Sequence, residues 1–279
     1  MRTLSLRSLT LACLASGLLL TAGCNRKDDA TPDEDITTAE DRSEDNVETA
    51  ISSDAMQTAP ADLGTQGFSN TETEFRAKFG SCATRTYDAG THTLTIDFGT
   101  TNCLCADGRY RRGKIIVHFT TDTNRRRAGA VVTRDGYFVN DNQHTATRTF
   151  TDIGLGSFTV DVTNASIIRA NNGGTHSWTA NWTFTQTQGF NTPQVSDDVF
   201  SVTGSSTGVN RKNVAYTTTI QSPLIKRADC LKYFVHGVVS ITNSKSKTLL
   251  LDYDPSGTQD CDKIASVTIN GRTKTITLR

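Results

Sequence analysis

The chain has 279 residues, 29 basic and 29 acidic side chains, zero formal net charge and 35% hydrophobic residues. The low apolar fraction excludes a polytopic membrane protein, and the balanced charge gives no global case for binding nucleic acid. Setting aside Met1–Gly23 leaves enough chain for one large domain or two small ones.

Met1–Gly23 has the parts of a secretory signal. Arg2 and Arg7 precede an apolar run from Leu9 to Leu20 that is too short to span a bilayer comfortably. The run ends in Leu20-Thr21-Ala22-Gly23-Cys24. This string resembles the lipobox of bacterial lipoproteins. The resemblance implies cleavage before Cys24, a diacylglycerol thioether on its sulfur and an acyl chain on its amine. The alternative is an ordinary cleaved signal with an incidental cysteine. Acylation at both positions exceeds the two-signal requirement for stable anchoring, since each buried methylene adds about 0.8 kcal/mol. The expected partner is therefore a membrane, reached through N-terminal acyl chains. Asn25-Arg26-Lys27-Asp28-Asp29 is similar to the surface-export signal of Bacteroidetes lipoproteins. That similarity implies display on the outer membrane at the cell surface; the alternative is a tether that stays in the periplasm.

Residues 25–54 hold eleven acids against three bases and no aromatics. They read as part of a solvated, disordered tether over residues 24–70. Within it, Ser43–Met56 is expected to form one short helix, with Val47, Ile51 and Ala55 at i, i+4 and i+8. Ala59-Pro60 through Gly67 reads as a linker. The remainder of the chain then carries a positive surplus. A folded domain is expected over residues 71–279, opening on a helix from Thr71 to Phe79 with Thr71 and Glu74 at capping-box spacing.

From about Cys82 onward, threonine and β-branched or aromatic residues alternate with period two, the pattern of half-buried strands. Leu94, Ile96 and Phe98 share one face, as do Phe158, Val160 and Val162. Trp178, Ala180, Trp182 and Phe184 form the longest apolar stripe. Asp107-Gly108, Asn171-Asn172-Gly173-Gly174 and above all Asn270-Gly271 supply turns that tolerate positive φ. Short turns between successive strands imply antiparallel order. The expectation is an all-β antiparallel meander of about eleven to thirteen strands, forming a sandwich or flattened barrel. A transmembrane barrel is disfavoured because the apolar faces are short and diluted by threonine. Thr95–Arg109, with Asn140-Asp141-Asn142-Gln143 and the ending Val267–Arg279, resembles uncharacterised secreted lipoproteins of Bacteroidetes over residues 80–279. That resemblance implies location and β class and brings no activity.

Setting aside Cys13 in the signal and Cys24 leaves Cys82, Cys103, Cys105, Cys230 and Cys261. Outside the cytoplasm an odd set allows at most two disulfides and one thiol. Cys230 with Cys261 is the first expected pair, and Cys82 with either Cys103 or Cys105 the second. A metal or redox site at Cys82, Cys103 and Cys105 is the alternative, but C-x-C is too tight for the common zinc knuckle. No cofactor and no metal are expected.

No glutamate occurs after Glu74, so a glycosidase in the β-domain would need two aspartates. The histidines His92, His118, His144, His176 and His236 are scattered singly and read as surface or half-buried strand residues. Gly204-Ser205-Ser206-Thr207-Gly208 matches G-x-S-x-G as a string but lacks a following helix, and reads as a hairpin loop. Asp252, Asp254, Ser256 and Asp260 match part of a calcium loop, whose usual bidentate glutamate is replaced by Lys263. Arg109, Arg111, Arg112 and Lys114, with Arg125, Arg126 and Arg127, form a candidate anion patch or a merely solvated surface. Trp178, Trp182 and Tyr110 could stack on sugars, although a Trp pair at i, i+4 in a strand is more often core. No catalytic residue is assigned. The expected function is a binding or envelope-structural module with a glycan or envelope protein as possible partner. The alternatives are an Asp-dependent glycan-acting enzyme and a carrier of an apolar ligand. A large apolar cavity would favour the carrier.

Overall fold

A computed structural model describes residues 33–57, 72–120, 129–190, 197–230, 232–244 and 247–278. The export signal, Cys24, the residues just after it and Arg125–Arg127 lie outside the described residues.

Two helices precede the strands: α1 (Asp33–Gln57) and α2 (Glu72–Phe79). Then come β1 (Thr84–Asp88), β2 (Thr93–Asp97), β3 (Cys103–Leu104), β4 (Tyr110–Phe119), β5 (Ala130–Val139), β6 (Asn142–Gly154) and β7 (Ser157–Ile168). They are followed by β8 (Thr175–Gln188), β9 (Val199–Val209), β10 (Ala215–Arg227), β11 (His236–Asn243), β12 (Thr248–Asp252), β13 (Ile264–Ile269) and β14 (Arg272–Thr277). The antiparallel meander is as expected. It has fourteen strands among the described residues, because the two-residue β3 adds a short partner to β4. All belong to one sheet in sequence order, whose path ends at β1 and β14 without closing.

Turn chemistry sets the register. Asn270 and Gly271, both at positive φ, join β13 to β14 with Ile269 opposite Arg272. Asn140 and Asp141 do the same between β5 and β6, with Val139 opposite Asn142. Both are two-residue hairpins whose twist suits the flanking strands. On the solvent face threonines pair across strands, as in Thr179 with Thr207 at 3.1 Å and Thr268 with Thr273 at 2.8 Å. The opposite face carries the apolar stripe: Trp178, Trp182, Val160, Val162, Ile115 and Val117 are all buried.

That inner face is covered by α1, which corrects the reading of its residues as a solvated tether. The helix begins ten residues before Ser43 and runs to Gln57. Ala39, Val47, Ile51 and Ala55 are buried along one line, at multiples of four residues. Arg42, Asp45, Glu48, Thr49 and Ser52 are buried as well, so the helix is enclosed on more than its apolar side. Its polar groups meet β5, β6, the ends of β7 and β9, and Tyr253 just past β12. The sheet therefore curls around α1, and Thr31–Arg279 forms one compact unit. Beside it, α2 buries Phe75 and Phe79, the latter against Phe98 at 6.2 Å.

A second correction concerns Gly204–Gly208, which lies inside β9 rather than in a loop. A Cβ on Gly204 would stand 2.2 Å from the Asn181 carbonyl oxygen, and one on Gly208 would meet the Tyr216 hydroxyl at 2.6 Å. The glycines let β9 pack closely on β8 and β10; the string has no catalytic geometry.

Candidate functional site

The interior around α1 is charged, and the charges are complementary. Asp41 accepts from Arg169 at 2.7 Å and from Arg211 through both its guanidinium and its backbone N–H. Glu44 accepts from Arg169 at 2.6 Å. Arg42 donates to Asp45 and Asn46 and lies 4.6 Å over the Trp182 ring. Arg134 donates to Ser52 at 2.8 Å and stands 3.5 Å from Glu48. His144 lies 3.6 Å from the same carboxylate.

Neither Glu48 contact is a tight ion pair, and burial opposes its charge. The summed field of His144, Arg134, Arg148 and Arg111 nevertheless holds it ionised down to about pH 2. Asp45 behaves oppositely: burial outweighs Arg42 and Arg148 and pushes its carboxyl up to about 6. Burial lowers His144 below its ordinary range despite Glu48 and Glu44. His176 is pushed down to about 4 by burial, stacks 4.4 Å from Trp178 and meets the Tyr216 hydroxyl at 2.7 Å. His144 and His176 do lie on strands, but are fully buried rather than at the surface or half-buried.

The C-terminal half of α1 borders an open space of about 700 Å³, its mouth included. Asn46, Thr49, Ala50 and Ser53 form the helix side. Opposite stand Phe150, Phe158, Trp182, Phe184 and Phe200 from four consecutive strands. Register aligns them: Phe158 faces Phe184 across β7 and β8, and Phe200 sits on β9 opposite Gln186. Phe158 and Phe184 stack at 4.9 Å, and Phe200 meets both edge-on at 5.6 and 6.3 Å. The connection from β10 to β11 supplies Lys232, Tyr233 and Phe234, with Lys226 at the end of β10. Cys230, in that connection, is bridged to Cys261. A smaller space of about 380 Å³ shares Asp54 and Lys232 with the first and extends to Phe79 and Arg111. A mainly apolar cavity with a few polar groups is the usual form of a small-molecule site.

The other sequence candidates do not gather. Cys82 pairs with Cys103, Cys230 with Cys261, and Cys105 is a buried thiol that burial makes harder to ionise. Arg111 is buried and held bidentately by Asp107 at 2.7 and 2.8 Å, with Tyr137 on its Nε. Arg112 binds Asp141 and Asn102, and Lys114 lies 3.6 Å from Asp97. Arg109 sits in the loop before β4. The calcium-like loop turns its carboxylates onto itself: Asp252 accepts from the Asp254 N–H, Asp254 from Gln259 and Ser256, and Asp260 from Thr258. His236 also lies 3.1 Å from Asp254. Among the described residues no three His, Cys, Asp or Glu side chains form a metal-binding group. Trp178 and Trp182 are buried in the core, whereas Tyr110 is exposed on β4.

The stripe containing Trp182 and Phe184 was legible as inward-facing; the helix wall and the part played by the β10–β11 connection were not. The signal that pointed to them was the charge imbalance between the acidic segment and a basic remainder with arginines inside strand patterns. Comparison with protein-family models, curated proteins and solved structures finds no match to this chain.

Proposed function

We propose that this chain is a lipid-anchored protein of the outer membrane, displayed at the cell surface, whose sheet holds an apolar small molecule against α1. The anchoring part rests on the string ending at Cys24. The binding part rests on one observation: an aromatic wall drawn from four adjacent strands faces small helix side chains across unfilled space. A sheet with no ligand to hold would gain dispersion contacts by filling that space with larger residues at Thr49, Ala50 and Ser53.

Titration of the protein with N-phenyl-1-naphthylamine, a neutral dye that brightens in apolar sites, tests the binding part. Bright saturable binding is expected, and Ala50→Trp should abolish it by filling the space while the thermal midpoint holds or rises. Binding that is absent in the parent chain or unchanged in Ala50→Trp would overturn the reading.

A further inference from the structure

We infer that the outer face of the sheet binds an uncharged oligosaccharide, on a strip that begins at Tyr110 and Arg112 and crosses β4 to β7. The strip is separate from the aromatic cavity, and the inference does not rest on a ligand there.

Successive side chains of a strand face opposite ways. Arg111 is buried and its charge acts on Glu48 of α1, so its neighbours Tyr110 and Arg112 point outward. Tyr110 is 47% exposed, and Leu104, opposite it on β3, is 55% exposed. Register carries the row onward. Arg112 pairs with Phe138 on β5, Phe138 with Gln143 on β6, and Gln143 with Ile168 on β7, which is 48% exposed. With neighbouring strands about 4.8 Å apart, Arg112 to Ile168 spans about 14 Å.

The polar groups at the start of the strip are held in place and only partly used. The Arg112 guanidinium lies 3.9 Å over the Phe138 ring. Its Nη1 donates to Asn102 at 2.8 Å and to Asp141 Oδ1 at 2.5 Å, and the Asn102 amide donates to the same Oδ1 at 3.2 Å. Among the described residues no protein group hydrogen-bonds Arg112 Nε or Nη2, Asp141 Oδ2 or the Tyr110 hydroxyl. The Tyr110 backbone is clamped: its N–H donates to Asn140 Oδ1 at 3.0 Å, and its carbonyl accepts from the Asn140 N–H at 2.8 Å. The bridge from Cys82 to Cys103 ties down β3 beside it. Little ordering is therefore left for a ligand to impose.

This chemistry fits a sugar. A hexose has an apolar C–H face, which stacks on an exposed ring, and an edge of hydroxyls that both donate and accept. Arg112 offers donors and Asp141 an acceptor side by side. Their charges cancel, and Lys114, next along β4, stands 3.6 Å from Asp97, so nothing here favours a polyanion. A protein partner would be met by anchors that fill pockets, whereas Tyr110 and Ile168 stand on an open face.

The test titrates the full chain with cellohexaose, maltohexaose and mannohexaose in a calorimeter. At least one should bind, and more tightly than its own disaccharide, because the strip crosses four strands. Tyr110→Thr, which keeps strand propensity, should weaken that binding about 3- to 10-fold, the worth of one stacked ring. Arg112→Met should also weaken it, and Tyr110→Phe should retain most of it. N-phenyl-1-naphthylamine binding and the thermal midpoint should be unchanged in Tyr110→Thr and Tyr110→Phe. Binding of none of the three hexaoses would overturn the inference, as would binding that Tyr110→Thr leaves intact. Polygalacturonate binding more tightly than every neutral hexaose would overturn the choice of an uncharged ligand. Absence of dye binding in the parent chain would overturn the cavity reading and leave this one standing.

Discussion

Glu48→Gln probes the buried charge that couples α1 to the sheet. Glu48 is buried beside Arg134 and His144, with Arg148 and Arg111 contributing to the field on it. Its carboxyl sits at about 2 in the folded chain against an ordinary 4.5. At about 1.4 kcal/mol per pH unit, that gap is worth about 3 kcal/mol. A folded-state value below the unfolded one means this stabilisation is complete above pH 4.5 and disappears as pH falls through about 2. Asp45 has the opposite sign. Its value of about 6 against 3.8 gives stabilisation present below pH 3.8 and lost as pH rises through 6, again about 3 kcal/mol. His144, lowered from 6.5, subtracts stability as pH falls below that value. Asp45 and His144 therefore oppose one another in mild acid, and the loss from Glu48 dominates in stronger acid, where the protein should unfold steeply. Removing the charge in Glu48→Gln should cost about 3–5 kcal/mol at neutral pH, because Arg134 and Arg148 stay buried without it. The variant and the parent should converge as pH falls below about 2, where Glu48 itself becomes neutral. Urea unfolding followed by the fluorescence of Trp178 and Trp182, at neutral pH and in acid, measures both effects. A cost below about 1 kcal/mol at neutral pH, or parallel acid profiles, would show that α1 is not enclosed by the sheet.

Three further outcomes are expected. Gly204→Ala should lower stability by about 2–4 kcal/mol in a thermal melt, since its φ of 135° and the Asn181 carbonyl leave no room for a Cβ. Gly136→Ala, at φ 52° with open space around it, should cost only about 1 kcal/mol, and equal losses would refute the packing argument. Cys24→Ser should release the protein from membranes into the soluble fraction with an unchanged β-type circular dichroism spectrum; continued retention would count against acyl anchoring.

Local physics carried much of the fold in the sequence alone. Strand alternation is written residue by residue, because successive side chains point to opposite faces and only one face is dry. Asn270-Gly271 announced its hairpin because few residue pairs tolerate positive φ in succession. Both disulfide pairs were within the set that spacing allowed, although the choice of Cys103 over Cys105 required coordinates. The placement of α1 was decided only by tertiary structure. An acid-rich segment looks solvated as long as its partners are unknown. Asp41 meets Arg211 across 170 residues of chain, Arg134 reaches Ser52 across 82, and Asn46 meets Tyr253 across 207. Burial of such charges is favourable only when all these groups converge, so no local window can reveal it. The cavity has the same origin: each phenylalanine reads as core, and the unfilled space exists only because four strands set their rings against small residues of a distant helix.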